Sequence, residues 1–457
     1  MRKRLKIFLS AVFTAVVALT GCSGDAGESG NGGTSVSATD DGEKEVVIGI
    51  YRDAAMDELD AASYKGPHFL YKMIYEGLVE DEGEEGIVPQ LAEHWEIDPD
   101  GKTYTFHLRE GVKFSDGSDF NADNVVFNMN RWINNDRHAS LTSMNVERIE
   151  AVDDYTVKIV YKDVSYPIIN ELSYPRPVRF LSQNAVDSDG NFIAPIGTGQ
   201  WMFESYDKDQ EFTLVPNPYY WGEKPKIDRI RFKVITDGQA RLMALKSGEI
   251  DILGGDLIGK IPMESIVDLR DNSDFTLYTA PTLCSHFMYF NQSNEWFQDK
   301  NVRLAFNHAI NKESMVKNLF NEVGAPADGL YQKETPYATE ENNYGYEYDI
   351  EKAKKYLKEA GFTDTNGDGV IEKDGKDFEI KLVLTTEEFP EWKSMAEYIQ
   401  AQLLAIGIKA NLTFLDRNGF EEAHMTTKDF DMCILRTASD SWVPHSSIRE
   451  LFAPMAT

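Results

Sequence analysis

Val46-Val47-Ile48-Gly49-Ile50 reads as a β-strand, since a short run of β-branched residues suits a pleated, buried surface, and it places the start of folded sequence at Glu45. Downstream, a helical pattern covers His68–Leu78. Thr103–Leu108 alternates, with Tyr104, Phe106 and Leu108 on one face, the period of a half-buried strand. Asn121 is placed to cap a helix whose Val125, Val126, Met129, Trp132 and Ile133 share a stripe. Val146–Tyr161 reads as a hairpin turning at Asp153-Asp154, and Glu211–Pro216 and Ile227–Ile235 as further strands. In the second half, one amphipathic helix carries Val302, Ala305, Phe306, Ala309 and Ile310. A second runs from an Asp349 cap to a Gly361 stop, and a third, Glu391–Ala405, ends at Gly407 before the strand Ile408–Leu415. Helices and strands mix without an internal repeat, so the expected class is α/β or mixed α+β with two lobes. A length of 457 residues allows two or three structural units.

Upstream of Glu45 the sequence changes character. Ser23–Lys44 is rich in Gly, Ser, Asp and Thr and has almost nothing apolar to bury, so it reads as a flexible tether. Before it, Arg2, Lys3, Arg4 and Lys6 precede the apolar run Ile7–Thr20, which falls short of the roughly 20 residues of a membrane span and fits a signal-peptide core. The run ends in Leu19-Thr20-Gly21-Cys22, which resembles the bacterial lipobox, and that resemblance implies lipidation of Cys22. The expected division is a signal peptide over 1–21 and a tether over 22–44. Lobe I follows over 45–280, with a subdomain near 80–190, and lobe II over 281–457. The expected location is extracytoplasmic, lipid-anchored at the outer face of the cell membrane or facing the periplasm.

A formal net charge of −30 argues against nucleic acid as a partner, because phosphate binding needs clustered Lys and Arg. Three cysteines with no CxxC exclude a disulfide scaffold; Cys284 and Cys433 read as small buried residues. There is no GxSxG, no GxxxxGK[ST], no HExxH and no GxGxxG after a strand, so no enzyme activity is expected. No two of the eight histidines stand at i,i+3 or i,i+4, so no helix presents a ready metal-binding pair, although ligands can still converge in space. Asp364-Thr365-Asn366-Gly367-Asp368-Gly369 imitates the start of a calcium loop, but its twelfth position is Gly375 instead of a bidentate Glu, which favours a polar turn.

Several motifs carry a more specific signal: Ala194-Pro195-Ile196-Gly197-Thr198-Gly199, Asn217-Pro218-Tyr219-Tyr220-Trp221-Gly222, Gly101-Lys102-Thr103-Tyr104-Thr105-Phe106, Asp116-Gly117-Ser118 and Asn301-Val302-Arg303. Together they resemble the peptide/nickel class of ABC-importer solute-binding proteins (solute-binding family 5), and the resemblance covers essentially everything after Glu45. It implies a two-lobed periplasmic-binding-protein-like fold of class C type, closing on one small ligand in a cleft between the lobes. The expected partners are ABC permease and ATPase subunits, and a monomer is expected. Chains of this class continue past the Pro444-His445 region to complete the first lobe, so the C-terminal part is expected to be missing here.

Within the class, Arg137-His138-Ala139, Tyr174-Pro175-Arg176-Pro177-Val178-Arg179-Phe180, Arg436-Thr437 and Pro444-His445 are most similar to nickel-binding members. The resemblance implies that Arg176 holds a carboxylate of a nickel chelate and that Arg137 assists. The chemistry agrees: a guanidinium repels a bare cation but grips carboxylates bidentately, so the cargo is expected to be an anionic metal chelate, carried as ligand and not as a resident cofactor. Trp442 stands where the family has a tyrosine and offers a stacking wall. His68 stands at a family methionine and is a candidate metal ligand. The family's own metal-ligating histidine has no counterpart, Ala456 standing there or the chain having ended. Asp440 matches the Asp with which peptide binders hold an α-ammonium, which keeps a di- or oligopeptide cargo open. A surface-anchored hydrolase is a third reading, without a nucleophile or base motif to carry it.

Overall fold

The structure is a computed structural model that describes residues 42–54, 56–63, 66–133, 145–164, 168–175, 178–255, 259–279, 284–333, 335, 338–386 and 389–437. The signal segment and residues 22–41 of the tether, including Cys22, lie outside the described residues, as do Arg137, Arg176, Asp440 and Trp442, while Lys44, expected in the tether, already joins the fold through its N–H, which donates to Asp228 Oδ2 at 2.9 Å. Among the described residues, no helix is long and apolar enough to cross a membrane.

In chain order the strands of the first half are β1 (Glu45–Ile50), β2 (Val79–Asp81), β3 (Ile87–Pro89), β4 (Ala92–Ile97), β5 (Thr103–Leu108), β6 (Val146–Asp153), β7 (Thr156–Tyr161), β8 (Trp201–Asp207), β9 (Glu211–Pro216) and β10 (Arg229–Val234). The second half has β11 (His286–Phe290), β12 (Glu372–Lys373), β13 (Lys376–Asp377), β14 (Glu379–Leu384), β15 (Lys409–Phe414) and β16 (Met432–Arg436). They pair into separate sheets: β1-β10-β9-β8, β4-β5-β7-β6 and the ribbon β2-β3 from the first half, β11-β16-β14-β15 and the ribbon β12-β13 from the second. Among the described residues no sheet takes strands from both halves, in keeping with the mixed α/β, two-lobed architecture.

Local sequence accounts for most of these elements. β14 carries buried Ile380, Leu382, Val383 and Leu384 and lies parallel to both its neighbours, β15 and β16, where burial on two faces demands a near-continuous apolar run. Helix α1 spans His68–Ile74 and helix α2 spans Ala122–Ile133. Asn121 caps α2 reciprocally: Asn124 N–H donates to Asn121 Oδ1 at 3.2 Å and Asn121 N–H donates to Asn124 Oδ1 at 2.9 Å. Asp349 caps Ile350–Glu359, and Gly361 beyond that helix takes φ +90°, the left-handed region open to glycine.

Helix α1 stops at Ile74, before the expected Leu78. The reason is tertiary: Tyr75 turns extended, Glu76 O accepts from Phe180 N–H at 3.1 Å, and Gly77 N–H donates to Gln90 Oε1 at 2.8 Å. In the calcium-like stretch, Asp364 accepts from the N–H groups of Gly367 at 2.6 Å and Gly369 at 3.0 Å, as a polar turn does. Cys284 and Cys433 remain thiols, and burial pushes the Cys433 thiol up to about 12.

Candidate functional site

Of the residues expected to bind ligand, His68 is the one the structure describes. It opens α1, half-buried, with Tyr174 Oη 3.3 Å from its Nε2 and the two rings edge to face at 5.1 Å. Tyr174 belongs to the Tyr174–Phe180 run, so α1 and the arginine-bearing segment meet at this point.

The family-like motifs hold that junction from below. A Cβ on Gly197 would stand 2.0 Å from Ile74 O, and one on Gly199 would stand 2.5 Å from Met73 O, so the Gly197-Thr198-Gly199 backbone runs directly against the end of α1. Gly199 N–H donates to Ile74 O at 2.9 Å, and Asn217 Nδ2 donates to Gly199 O at 2.9 Å. Trp221 Nε1 donates to Glu76 Oε2 at 2.9 Å, while the Arg109 guanidinium stacks 4.4 Å over the Trp221 ring. The glycine and Asn-Pro-Tyr-Tyr-Trp motifs are thus a platform that fixes the helix carrying His68.

Arg179, the second arginine of the run, is structural. Its side chain is fully buried, ion-paired to Glu80 at 2.8 Å and bonded to Gln90 Oε1 and Ser173 O, each at 3.0 Å. Lys72 of α1 reaches the same Glu80 at 2.6 Å. Burial alone would raise the Glu80 pKa, but Arg179 and Lys72 outweigh it and leave the carboxyl below its ordinary value. Arg179 is thus held to both Glu80 and Ser173.

Glu76 is perturbed in the opposite direction. Burial raises its pKa from 4.5 to about 7, against the pull of its hydrogen-bonded neighbours. The folded state therefore holds a proton that the unfolded chain releases above pH 4.5. The contribution to stability is complete below that pH and is lost progressively as pH rises toward 7. Glu76→Gln is expected to abolish this part of the pH dependence, checked by urea denaturation at intervals from pH 4.5 to 8.

In the second half, a cluster of which the sequence singled out only Arg436 surrounds His286. Trp392 Nε1 donates to His286 Nδ1 at 2.8 Å, and the His286 ring stands edge to face with Phe389 at 4.9 Å. Phe389 stacks on Trp392 at 4.8 Å and receives the Arg436 guanidinium at 5.6 Å and Lys260 Nζ at 3.9 Å. His286 and Arg436 are partners in the β11–β16 register, which is why residues so far apart in the chain meet. Two cations over an aromatic wall suit a planar or anionic ligand. Lys260 also pairs with Glu391 at 2.9 Å, tying the segment after β10 to the second half. A shallow polar depression of about 300 Å³ lined by Asn291, Lys381, Asp429 and Asp431 is a poorer candidate. Its groups already satisfy one another, Lys381 with Asp429 at 2.7 Å and Asn291 Nδ2 with Phe430 O at 2.7 Å.

Known proteins share the fold. Residues 86–456 match the family described as bacterial extracellular solute-binding proteins, family 5 Middle. The chain is 33% identical over 398 residues to the nickel-binding periplasmic protein of Escherichia coli (strain K12), covering 84% of this chain and 74% of that one. It is 31% identical over 379 residues to the glutathione-binding protein GsiB of Salmonella typhi, covering 82% and 70%. Among solved structures, NikA from Brucella suis in complex with Fe(III)-EDTA superposes with a TM-score of 0.84 at 31% identity, covering 89% of this chain and 82% of that one. A receptor fold built from two separately sheeted halves, with α1 seated on the glycine and tryptophan motifs, and a match across most of its length lead to one conclusion: the chain belongs to the bacterial extracellular solute-binding proteins of family 5.

Proposed function

We propose that this chain is the extracytoplasmic receptor of an ABC importer, anchored by a lipid on Cys22, that captures nickel or a related metal as a small anionic chelate and delivers it to the permease and ATPase subunits. The observation that carries the reading is the 0.84 TM-score likeness to a NikA holding Fe(III)-EDTA, a carboxylate-rich chelate of the charge class that Arg137 and Arg176 would grip. Lobe I, proposed as 45–280, would supply Arg176, Arg137 and His68. Lobe II, proposed as 281–457, would supply Trp442 and the Arg436–Phe389 wall. Ligand bridging both lobes would stabilise the closed form by its differential affinity for that form.

Calorimetry tests this with Ni²⁺ alone, Ni²⁺ plus histidine, and a dipeptide panel. The chelate is expected to bind far more tightly than the aquo-ion, and Arg176→Ala to weaken it by at least about tenfold, the loss of one charge-assisted contact. Tight binding of the aquo-ion in the cleft, unaffected by Arg176→Ala, would overturn the chelate reading.

A second reading, a di- or oligopeptide receptor, draws on the 31% identity to a glutathione-binding protein and on Asp440 as the partner of an α-ammonium. On that reading Asp440→Asn abolishes peptide binding and added metal makes no difference.

A further inference from the structure

Two strands of the antiparallel sheet bring together histidines that are distant in helical terms. β4 and β5 pair with His94 opposite His107 and Glu96 opposite Thr105. A register shift between Ala92 and His94 sets this pairing, so His94 and Glu96 point to the same face as His107. The opposite face carries Trp95 against Phe106 and faces the core. β4 is the edge strand of the sheet, and both His94 and Glu96 are exposed.

The two imidazoles stack with centroids 4.3 Å apart and planes 11° from parallel. One ligand atom from each of His94, Glu96 and His107 lies within 4.8 Å of the other two. A tetrahedral ion bound to two imidazoles needs its nitrogens about 3.3 Å apart. The nitrogens must close by up to about 1.5 Å and the parallel rings must tilt so that their lone pairs converge, which rotation of the exposed His94 and Glu96 side chains about the half-buried His107 can supply.

The sheet extends this group in two parallel rows. Continuing from His107 the pairing reaches Thr156 on β7 and Asp153 on β6; continuing from Thr105 it reaches Lys158 and Glu150. Lys158 faces Glu150 across the strands, and Glu96 is the carboxylate grouped with the two imidazoles.

We infer that His94, Glu96 and His107 form a surface site for one divalent transition ion of borderline softness, such as Zn²⁺, Ni²⁺ or Cu²⁺. Two imidazoles and one carboxylate are the donor set such ions prefer, and an edge strand leaves the remaining positions open to water. The site takes the bare cation, the opposite charge to the chelate proposed for the arginines, and it does not depend on that proposal. The net charge of −30 favours the approach of cations to the molecule as a whole.

The test uses the chain without a polyhistidine tag. Zn²⁺ calorimetry is expected to give one saturable site whose Kd weakens by more than about tenfold in either His94→Ala or His107→Ala, the loss of one of three ligands. Cu²⁺ electron paramagnetic resonance is expected to show coupling to two nitrogens in the wild type and to one in either single variant. Glu96→Gln should weaken binding while keeping the two-nitrogen pattern. Because His94 and Glu96 are exposed and His107 is half-buried on the solvent-facing side of the sheet, circular dichroism should be unchanged in all variants. The inference is overturned if the double variant His94→Ala/His107→Ala binds Zn²⁺ as the wild type does, or if the copper spectrum of the wild type shows no nitrogen pair.

Discussion

Arg179→Met is expected to destabilise the protein by about 3–5 kcal/mol, the range for breaking a buried ion pair from one side. The side chain is wholly buried, and its partner Glu80 is nearly so. Losing the guanidinium leaves a carboxylate in low dielectric with Lys72 as its remaining counter-charge, and that lysine is substantially exposed. Ser173 O and Gln90 Oε1 lose a donor at the same time. Urea denaturation at pH 7 measures the loss. Replacing both partners, Arg179→Met with Glu80→Met, should recover much of it, because the cost lies chiefly in the orphaned charge. Lys72→Ala alone should cost less than about 1 kcal/mol, as befits a partly solvated partner. A wild-type stability for Arg179→Met would show that the buried pair is not formed. On the chelate reading, the same substitution at Arg176 is expected to weaken chelate binding by at least about tenfold, a readout that separates two arginines three residues apart by their roles.

Gly197→Ala is expected to cost about 3 kcal/mol or more, at the upper end for overpacking a rigid site. The added Cβ would meet Ile74 O at 2.0 Å and the Tyr75 ring at 2.6 Å, distances that real Cβ atoms essentially never show. Both neighbours are held: Tyr75 donates through its hydroxyl to Leu59 O at 2.7 Å, and Ile74 O accepts from Gly199 N–H. Relief therefore requires α1 to move, and His68 moves with it. Ligand affinity should fall at temperatures well below the unfolding midpoint, which paired calorimetry and thermal melts would detect. Gly238→Ala is the control. Its Cβ would make ordinary contact with Pro262 at 3.5 Å, so stability should stay within about 1 kcal/mol.

The surface histidine pair bears on how metal titrations are read. Aquo-Ni²⁺ bound at His94 and His107 would register in calorimetry beside any cargo in the cleft. Chelate binding is therefore best measured in the His94→Ala/His107→Ala background, where the remaining signal belongs to the cleft. Failure of the surface site then leaves the chelate reading intact, and failure of the chelate reading leaves the surface site intact.

Much of the fold was legible in the sequence because its cues are local. The alternation of Tyr104, Phe106 and Leu108 gave β5, Asn121 and Asp349 gave helix starts, and Gly361 and Gly407 gave helix ends, each confirmed by cap bonds or a positive φ. The hairpin at Asp153-Asp154 was equally local. The candidate site was legible only through the motifs. Arg137, Arg176, Asp440 and Trp442 fall outside the described residues, and His68 is placed beside Tyr174. Of the Lys260, Phe389, Trp392, Arg436 and His286 cluster only Arg436 had a cue, as part of the Arg436-Thr437 motif, since the cluster draws on four separate segments.

By itself, then, the sequence determined most helix and strand starts and the family, because period, capping and turn chemistry are set within a few residues, while the end of α1 was set by contacts from distant segments. Tertiary structure alone decided that Arg179 is sealed against Glu80, that Gly197 must lack a Cβ because a helix end rests on it, and that His94 faces His107. Those outcomes depend on sheet order, strand register and close approach between distant segments, and a one-residue change of register would move every one of a strand's side chains to the opposite face.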